Sequence, residues 1–158
     1  MYTKRIDFLR ELRIHVAIKG KQNIVYLDES GFDGESYRDS GWAKIGKKVY
    51  GERSGKRWQR TSLLMAQRGK EWLAPWLFNG TCNTQIFNIW LKEVLLKELP
   101  SNQTIIMDNA RIHKSEETKR ILEEAGHEML FLPPYSPDFN PIEQSFGFLK
   151  KRRQFAPD

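Results

Sequence analysis

A single cysteine, Cys82, occurs among the 158 residues of the chain. One cysteine forms no intrachain disulfide, and a zinc ribbon built from cysteine clusters is excluded as well. The sequence also lacks any apolar run near the roughly 18 residues that span a bilayer. Its first residues lack the apolar core of a signal peptide. We therefore expect an intracellular, cytoplasmic protein with no membrane partner.

The composition is that of one globular domain. Apolar residues make up 39% and aromatic residues 12% of the chain, which is ordinary for a protein long enough to bury a substantial core. The net charge of +6 favours a polyanionic partner. Proteins with no nucleic-acid role carry such an excess too, so charge alone does not decide the partner.

Three acidic residues stand in distinctive local settings. Asp28 and Asp108 each end a short apolar run, and Glu143 closes the proline-rich segment 132–143. A β-rich apolar run that stops at an acidic residue places that side chain at the rim of a sheet. If the three side chains converge, they form a site for hard divalent cations.

Carboxylates suit such a site. Mg²⁺ and Mn²⁺ prefer oxygen ligands, and two ions roughly 3.5–4 Å apart can activate the attacking oxygen and stabilise the leaving oxygen of a phosphodiester. Three clustered acids without a cation would repel one another and raise the pKa of at least one of them. A metal site is therefore the interpretation that best explains the cluster.

The first half of the chain predicts one short helix and three strands. Residues 1–22 are interpreted as an N-terminal helix and linker, because apolar residues recur at helical spacing within them. Residues 23–28, 61–66 and 72–78 are β-compatible runs. The last two are separated by a turn-like tetrad at 67–70, so the three strands fit an antiparallel meander.

The second half alternates helices and strands. Residues 84–99 carry apolar side chains every three or four positions, with Asn83 as the cap and Pro100 at the end. The further elements that we predict are a strand at 104–108, a helix at 115–125 capped by Ser115, a strand at 128–132 and a last helix after Asn140. This order predicts an α/β fold, a mixed five-stranded sheet with helices on both faces.

Three motifs resemble a known family. They are Tyr-Leu-Asp-Glu-Ser at 26–30, Met-Asp-Asn-Ala at 107–110 followed by His113, and Leu-Pro-Pro-Tyr-Ser-Pro-Asp-Phe-Asn-Pro-Ile-Glu at 132–143. Together they closely resemble the catalytic domain of mariner-superfamily transposases, particularly the bacterial insertion-sequence branch. The 34 residues between Asp108 and Glu143 are typical of that branch. The resemblance runs from about residue 24 to about residue 153.

The resemblance implies a ribonuclease-H-like fold shared with retroviral integrases, and a DDE triad of Asp28, Asp108 and Glu143. In that family two Mg²⁺ ions, for which Mn²⁺ substitutes, support attack by water at a transposon end. The freed 3′-OH then attacks target DNA. By the resemblance Asp28 bridges both ions, and Asp108 and Glu143 each hold one. The implied partner is double-stranded DNA, both transposon ends and target, bound by a dimer near the nucleoid.

The chain departs from the family in places. Phe146 stands where the family often has Trp, and Phe139 where it has Leu; both exchanges should preserve packing. Family members also carry N-terminal helix-turn-helix modules, which about twenty residues before the first strand cannot hold. We therefore expect residues 23–158 to be the DDE catalytic domain alone, with a separately encoded DNA-recognition part and with C-terminal truncation left open.

Structural alternatives exist for each acid. Asn140 and Glu143 match a capping box, in which the glutamate returns a hydrogen bond to the backbone of the cap. Asp28 and Asp108 would then be ordinary solvated residues at strand ends. The joint context of the three motifs favours catalysis. Glu29 points to the opposite side if the strand pleat continues, so we leave it out of the site.

Asn109 and His113 are further candidates for the site, beside the three acids. They would orient metal-bound water or contact phosphate, but an Asn in a turn and a His before a helix cap are also common local hydrogen-bonding residues. The sequence does not separate these two interpretations.

Basic residues supply candidate DNA contacts. The run at the end of the last predicted helix lies on the side of Glu143 and suits phosphate binding, although cations also complement the dipole at a helix end. A second basic stretch, residues 53–60, contains an aromatic side chain that could stack on DNA. The candidates are Lys150, Lys151, Arg152, Arg153, Arg57 and Trp58.

These observations predict a Mg²⁺-dependent DDE transposase catalytic domain that cuts and joins DNA. Two alternatives remain from the sequence. One is a catalytically inactive DNA-binding remnant, and the other is a general metal-dependent nuclease of the ribonuclease H type, because a fold does not determine a substrate.

Overall fold

A computed structural model describes residues 2–32 and 60–155, with side chains as far as Arg152. Arg57 and Trp58 lie outside the described residues, as does the side chain of Arg153. The strands are β1 (Ile24–Phe32), β2 (Thr61–Arg68), β3 (Glu71–Asn79), β4 (Thr104–Met107) and β5 (Glu128–Phe131). The helices are α1 (Tyr2–Lys19), α2 (Thr84–Trp90), α3 (Leu96–Glu98), α4 (Glu116–Glu124) and α5 (Ile142–Phe155).

The five strands form one mixed sheet in the order β3-β2-β1-β4-β5. β1, β2 and β3 pair antiparallel, whereas β1, β4 and β5 pair parallel. The short connection between β2 and β3 suits a hairpin, and the parallel strands need the longer crossovers that the helices supply. The predicted meander and alternating second half are both confirmed.

Helices cover both faces of the sheet, and the side chains of β1 alternate between the two core layers that result. Val25 and Leu27 face the larger core cluster, which contains the buried residues of α2, of the π-helical turn Leu91–Leu95 that links α2 to α3, and of α4. Ile24 and Tyr26 face the opposite side, where α1 packs through Phe8. Farther along that side, α5 packs on β2. This layered arrangement confirms the predicted fold class.

The predicted helix caps are confirmed in two places. The side chain of Asn83 accepts a hydrogen bond from the Ile86 amide at 2.8 Å, and Ser115 accepts one from Thr118 at 3.0 Å. Each bond satisfies a backbone donor that the first helical turn leaves without an intrahelical partner. None of the helices within the described residues is long and apolar enough to cross a bilayer.

The strands β1 and β2 run past their predicted ends, and β2 continues through Arg68 into the predicted turn at 67–70. We predicted that Asp28 ends the first strand, but β1 continues through Phe32. The reason is pairing with β2, whose residues lie opposite β1 as far as the Phe32–Thr61 pair. A neighbouring strand far away in sequence thus extends β1 beyond its apolar run. Asp108, by contrast, directly follows β4, as expected.

The α5–β2 contact gives a test of the fold. Phe146 is 3% exposed and packs with Ile142 against Leu63 and Met65 of β2. We expect Phe146→Ala to lower the free energy of unfolding by about 3–5 kcal/mol, because it removes buried apolar surface and leaves a cavity. Urea unfolding followed by circular dichroism measures this. Phe148→Ala, where the ring is 51% exposed, should cost less than about 1 kcal/mol; equal losses would contradict the packing of α5.

Candidate active site

Asp28 and Asp108 lie side by side because of strand register. Ile24 pairs with Thr104 and Tyr26 with Ile106 in the parallel β1–β4 ladder. The same register places Asp108 level with Asp28. β4 has ended at this level while β1 continues, so the two carboxyl groups meet at the carboxyl edge of β4, where ligands of open α/β sheets bind.

Glu143 reaches this edge from α5. Buried Ile142 and Phe146 fix the first turns of the helix on β2. The Asn140 side chain accepts a hydrogen bond from the Ile142 amide at 3.1 Å, so Asn140 caps the helix as predicted. Its own amide donates to the carbonyl of Pro137 at 3.1 Å. In a capping box that amide would donate to Glu143. The side chain of Glu143 instead forms a hydrogen bond with Asp28.

The three acids line one cavity of about 420 Å³. Asn109, Asn140 and the proline-rich residues 132–137 complete its wall. Within the described ranges, no three His, Cys, Asp or Glu side chains are arranged so that they could together hold an ion. The acids thus converge on a shared space but make other contacts, Glu143 with Asp28 and Asp108 with His113.

Asp28 is a buried acid with a strongly perturbed pKa. Burial, first of all, and then the hydrogen bond with Glu143 raise the pKa of Asp28 to about 9, and the charges of Asp108 and Glu143 add to the shift. The Glu29 amide, which donates to its Oδ1 at 2.8 Å, opposes it. Asp28 therefore carries a proton at neutral pH unless a cation is bound, since a nearby positive charge favours the ionised form.

The pKa of Asp108 is shifted in the opposite direction. Burial raises its pKa, but hydrogen bonding and charge from His113, helped by the Ala110 amide, outweigh burial and leave the pKa of Asp108 below its ordinary value. His113 Nδ1 lies 2.7 Å from Asp108 Oδ1. The ring is 2% exposed and packs on Phe87 at 4.5 Å between centroids. This burial favours a role for His113 in orienting Asp108 over a direct contact with phosphate.

The sequence matches the model of a known protein family. A model of the family described as DDE superfamily endonuclease matches residues 23–156. The chain belongs to the DDE superfamily endonuclease family. None of the curated proteins matches the chain. The recognition of a DDE family, made from the three motifs, is confirmed, and the bacterial insertion-sequence branch stays a prediction.

Solved structures show the same fold as this DDE endonuclease. The Mos1 transposase paired-end complex with left transposon end superposes with a TM-score of 0.73 at 21% identity, covering 94% of this chain and 47% of that one. The Mos1 strand transfer complex superposes with a TM-score of 0.69 at 22% identity, covering 92% of this chain and 47% of that one. The catalytic domain of Mos1 mariner transposase superposes with a TM-score of 0.67 at 19% identity, covering 97% of this chain and 72% of that one. The chain spans about half the length of the Mos1 chains in these two DNA complexes.

The remaining residues that were predicted for the site or for DNA binding in this DDE endonuclease lie at the cavity wall or along α5. Asn109 is exposed and lines the cavity. Lys150, Lys151 and Arg152 are exposed along α5. Lys150 stands seven residues after Glu143 and therefore on the same helix face. Glu29 points to the opposite face of β1 from Asp28, as expected, and lies 3.9 Å from Arg60.

Tyr135 is a cavity residue that the motif analysis did not single out. Its side chain is 87% exposed although it is aromatic, and its backbone φ of +53° lies in the left-handed region. Non-glycine residues adopt that region at a cost, so the surrounding loop must hold it there. In the sequence, the one sign of a role for this residue is an aromatic side chain within a proline-rich segment. Only the fold shows that Tyr135 borders the three acids.

The pKa of Asp28 predicts a pH-dependent stability. Below pH 3.8, the ordinary value, Asp28 is protonated whether folded or unfolded. As the pH rises towards about 9, the unfolded chain releases the proton first, so the metal-free fold loses stability. We expect Asp28→Asn to be more stable than the wild type in EDTA at pH 7, with a difference that grows as pH rises.

Urea unfolding between pH 5 and 8.5 measures this difference. Asp7→Asn, which alters an exposed aspartate of α1, is the control and should show no such trend. A constant difference between wild type and Asp28→Asn across this range would disprove the raised pKa.

Proposed function

We propose that this chain is the catalytic domain of a DNA transposase, in which Asp28, Asp108 and Glu143 hold two divalent ions. The observation that supports the proposal most directly is the convergence of three carboxyl groups, from β1, the end of β4 and the start of α5, on one cavity. Membership of the DDE superfamily endonuclease family supports the chemistry.

The chemistry of the donor set suits Mg²⁺ or Mn²⁺, and binding would require the three carboxyl groups to give up their present contacts with Glu143, Asp28 and His113. All three side chains offer oxygen ligands, the hard donors that these ions prefer. Asp28, Asp108 and Glu143 would be the residues that hold the ions. Other structures of the mariner Mos1 paired-end complex are described as containing Mg or Mn. Bound ions would supply activation of the attacking oxygen and stabilisation of the leaving oxygen.

Residues of this chain would prepare the site for that chemistry. His113 would keep Asp108 ionised and oriented, because the buried imidazole lies 2.7 Å from the Asp108 carboxylate and lowers its pKa. The proline-rich wall of the cavity would restrict water to one side of the acids. Asn109, exposed at the same wall, would hydrogen-bond water or phosphate.

DNA is the proposed substrate and partner. The Mos1 chain with a similar fold is described with a left transposon end bound. In this chain Lys150, Lys151 and Arg152 are exposed in the C-terminal half of α5, beyond Glu143, and suit phosphate contacts. Arg153, Arg57 and Trp58 remain candidates from the sequence. We further propose a dimer in the DNA complex, acting in the cytoplasm where the DNA lies.

Metal-dependent nicking tests the proposed reaction. We expect the purified chain to nick supercoiled DNA with Mg²⁺ or Mn²⁺ and not in EDTA. Asp108→Asn and Glu143→Gln should each lower the rate at least about 100-fold, a larger loss than is typical when only an outer-shell partner of a metal ligand is removed. Gel separation of nicked from supercoiled plasmid measures the rates.

Glu124→Gln is the matched control for Glu143→Gln, because Glu124 is exposed near the end of α4. It should nick at the rate of the wild type. DNA binding without nicking by the wild type in either metal would favour the inactive remnant. Nicking that survives both active-site substitutions would refute the assignment of the acids.

Tyr135 provides a separate test of the DNA surface. We expect Tyr135→Ala to weaken DNA binding by about 1–3 kcal/mol, since an exposed aromatic beside the cavity suits stacking on an unpaired base. Fluorescence anisotropy with a DNA duplex that has a single-stranded end measures the affinity. Tyr2→Ala removes an equally prominent ring, 80% exposed on α1, and should leave the affinity unchanged; equal affinities for the two variants would exclude a role for Tyr135.

A further inference from the structure

Arg5 of α1 makes several contacts with the loop that leads to Glu143. Its Nη1 donates to Ser136 Oγ at 3.0 Å and to Asp138 Oδ1 at 3.1 Å, and its Nη2 donates to Asp138 Oδ2 at 2.7 Å. The guanidinium also lies 4.0 Å from the centroid of the Phe139 ring. Two parallel N–H···O bonds to one carboxylate fix its orientation as well as its distance.

The same loop is held to α1 by ring stacking. Phe139 stacks on Phe8, with centroids 5.6 Å apart and planes inclined by 16°. The Phe139 ring thus contacts both Phe8 and the Arg5 guanidinium of one helix. Asn140, the cap of α5, directly follows Phe139. The position of the loop relative to α1 therefore affects the place where α5 begins.

We propose that Arg5 is a positioning residue for the active site, because it anchors residues 136–139 to α1 and so determines where Glu143 enters the cavity. This inference rests on the proposed function. It extends the site to a residue outside the family-matched range 23–156. Arg5 itself would contact neither DNA nor metal.

The contact is better suited to positioning than to stabilising the fold. The side chains of Arg5 and Asp138 are 33% and 59% exposed, and exposed ion pairs contribute little to stability. α1 remains docked through Phe8 and its apolar neighbours without the pair. A displaced catalytic group, however, lowers reactivity and metal affinity strongly even when the fold persists.

A double-mutant cycle on the metal-free and Mn²⁺-loaded chain tests the proposal. The variants are Arg5→Ala, Asp138→Ala and the double variant, with Arg10→Ala as the matched control. Arg10 lies on the same helix, 76% exposed and 4.0 Å from Asp7. Hydrogen exchange measures deuterium uptake in residues 133–141, calorimetry measures the Kd for Mn²⁺, and thermal unfolding checks the fold.

We expect Arg5→Ala to unfold at the temperature of the control, to take up more deuterium at 133–141, and to raise the Kd for Mn²⁺ about ten-fold. The double variant should be no worse than either single one, and Arg5→Lys should recover part of the loss, because lysine keeps the charge but not the bidentate geometry. Unchanged uptake, or increased uptake with an unchanged Kd for Mn²⁺, would overturn the proposal.

The two proposals fail separately in this experiment. If the wild type binds no Mn²⁺ and nicks no DNA, the proposed function is wrong. The uptake difference between Arg5→Ala and Arg10→Ala then still decides whether Arg5 anchors the loop. If the wild type binds Mn²⁺ and both variants match it in uptake and Kd, only the positioning role is refuted.

Discussion

The parallel pairing of β1 with β4 is the constraint on which the candidate site depends. It places Asp28 and Asp108 level with each other, at a point where one strand has ended and the other continues. Asp28 also lies within a strand that is paired on its other side with β2, and its side chain is buried. Burial, the hydrogen bond with Glu143 and the charges of the neighbouring acids together raise its pKa.

The surroundings of the two aspartates separate their charge states. Asp28, 8% exposed, is neutral at pH 7 without a cation, whereas Asp108 is kept ionised by His113 and the Ala110 amide. Because only one of the two aspartates is charged, this difference reduces the repulsion between them and so the electrostatic cost of the cluster. Unfavourable electrostatics of this kind persist in proteins mainly where function requires them. A cation in the cavity would reverse the preference of Asp28 for the protonated form.

Much of the fold follows from local patterns in the chain. The β-compatible runs, the helical stripe of residues 84–99 and the caps at Asn83 and Ser115 each correspond to an element of the structure. The three motifs also led to the correct family and to three acids that share a cavity. The extension of β1 to Phe32 could not be predicted in this way, because it depends on pairing with β2, a strand that is distant in the sequence.

The sequence by itself determined the order of the elements and the family, and it singled out the three acids that line the cavity, since each of these depends on neighbouring residues or on short motifs. Only the tertiary structure decided that Glu143 contacts Asp28 and does not cap its own helix, that His113 is buried against Asp108, and that Tyr135 borders the cavity. It also joined Arg5 to a loop more than 130 residues away. Contacts of this kind depend on strand register and helix docking, which local propensity does not specify.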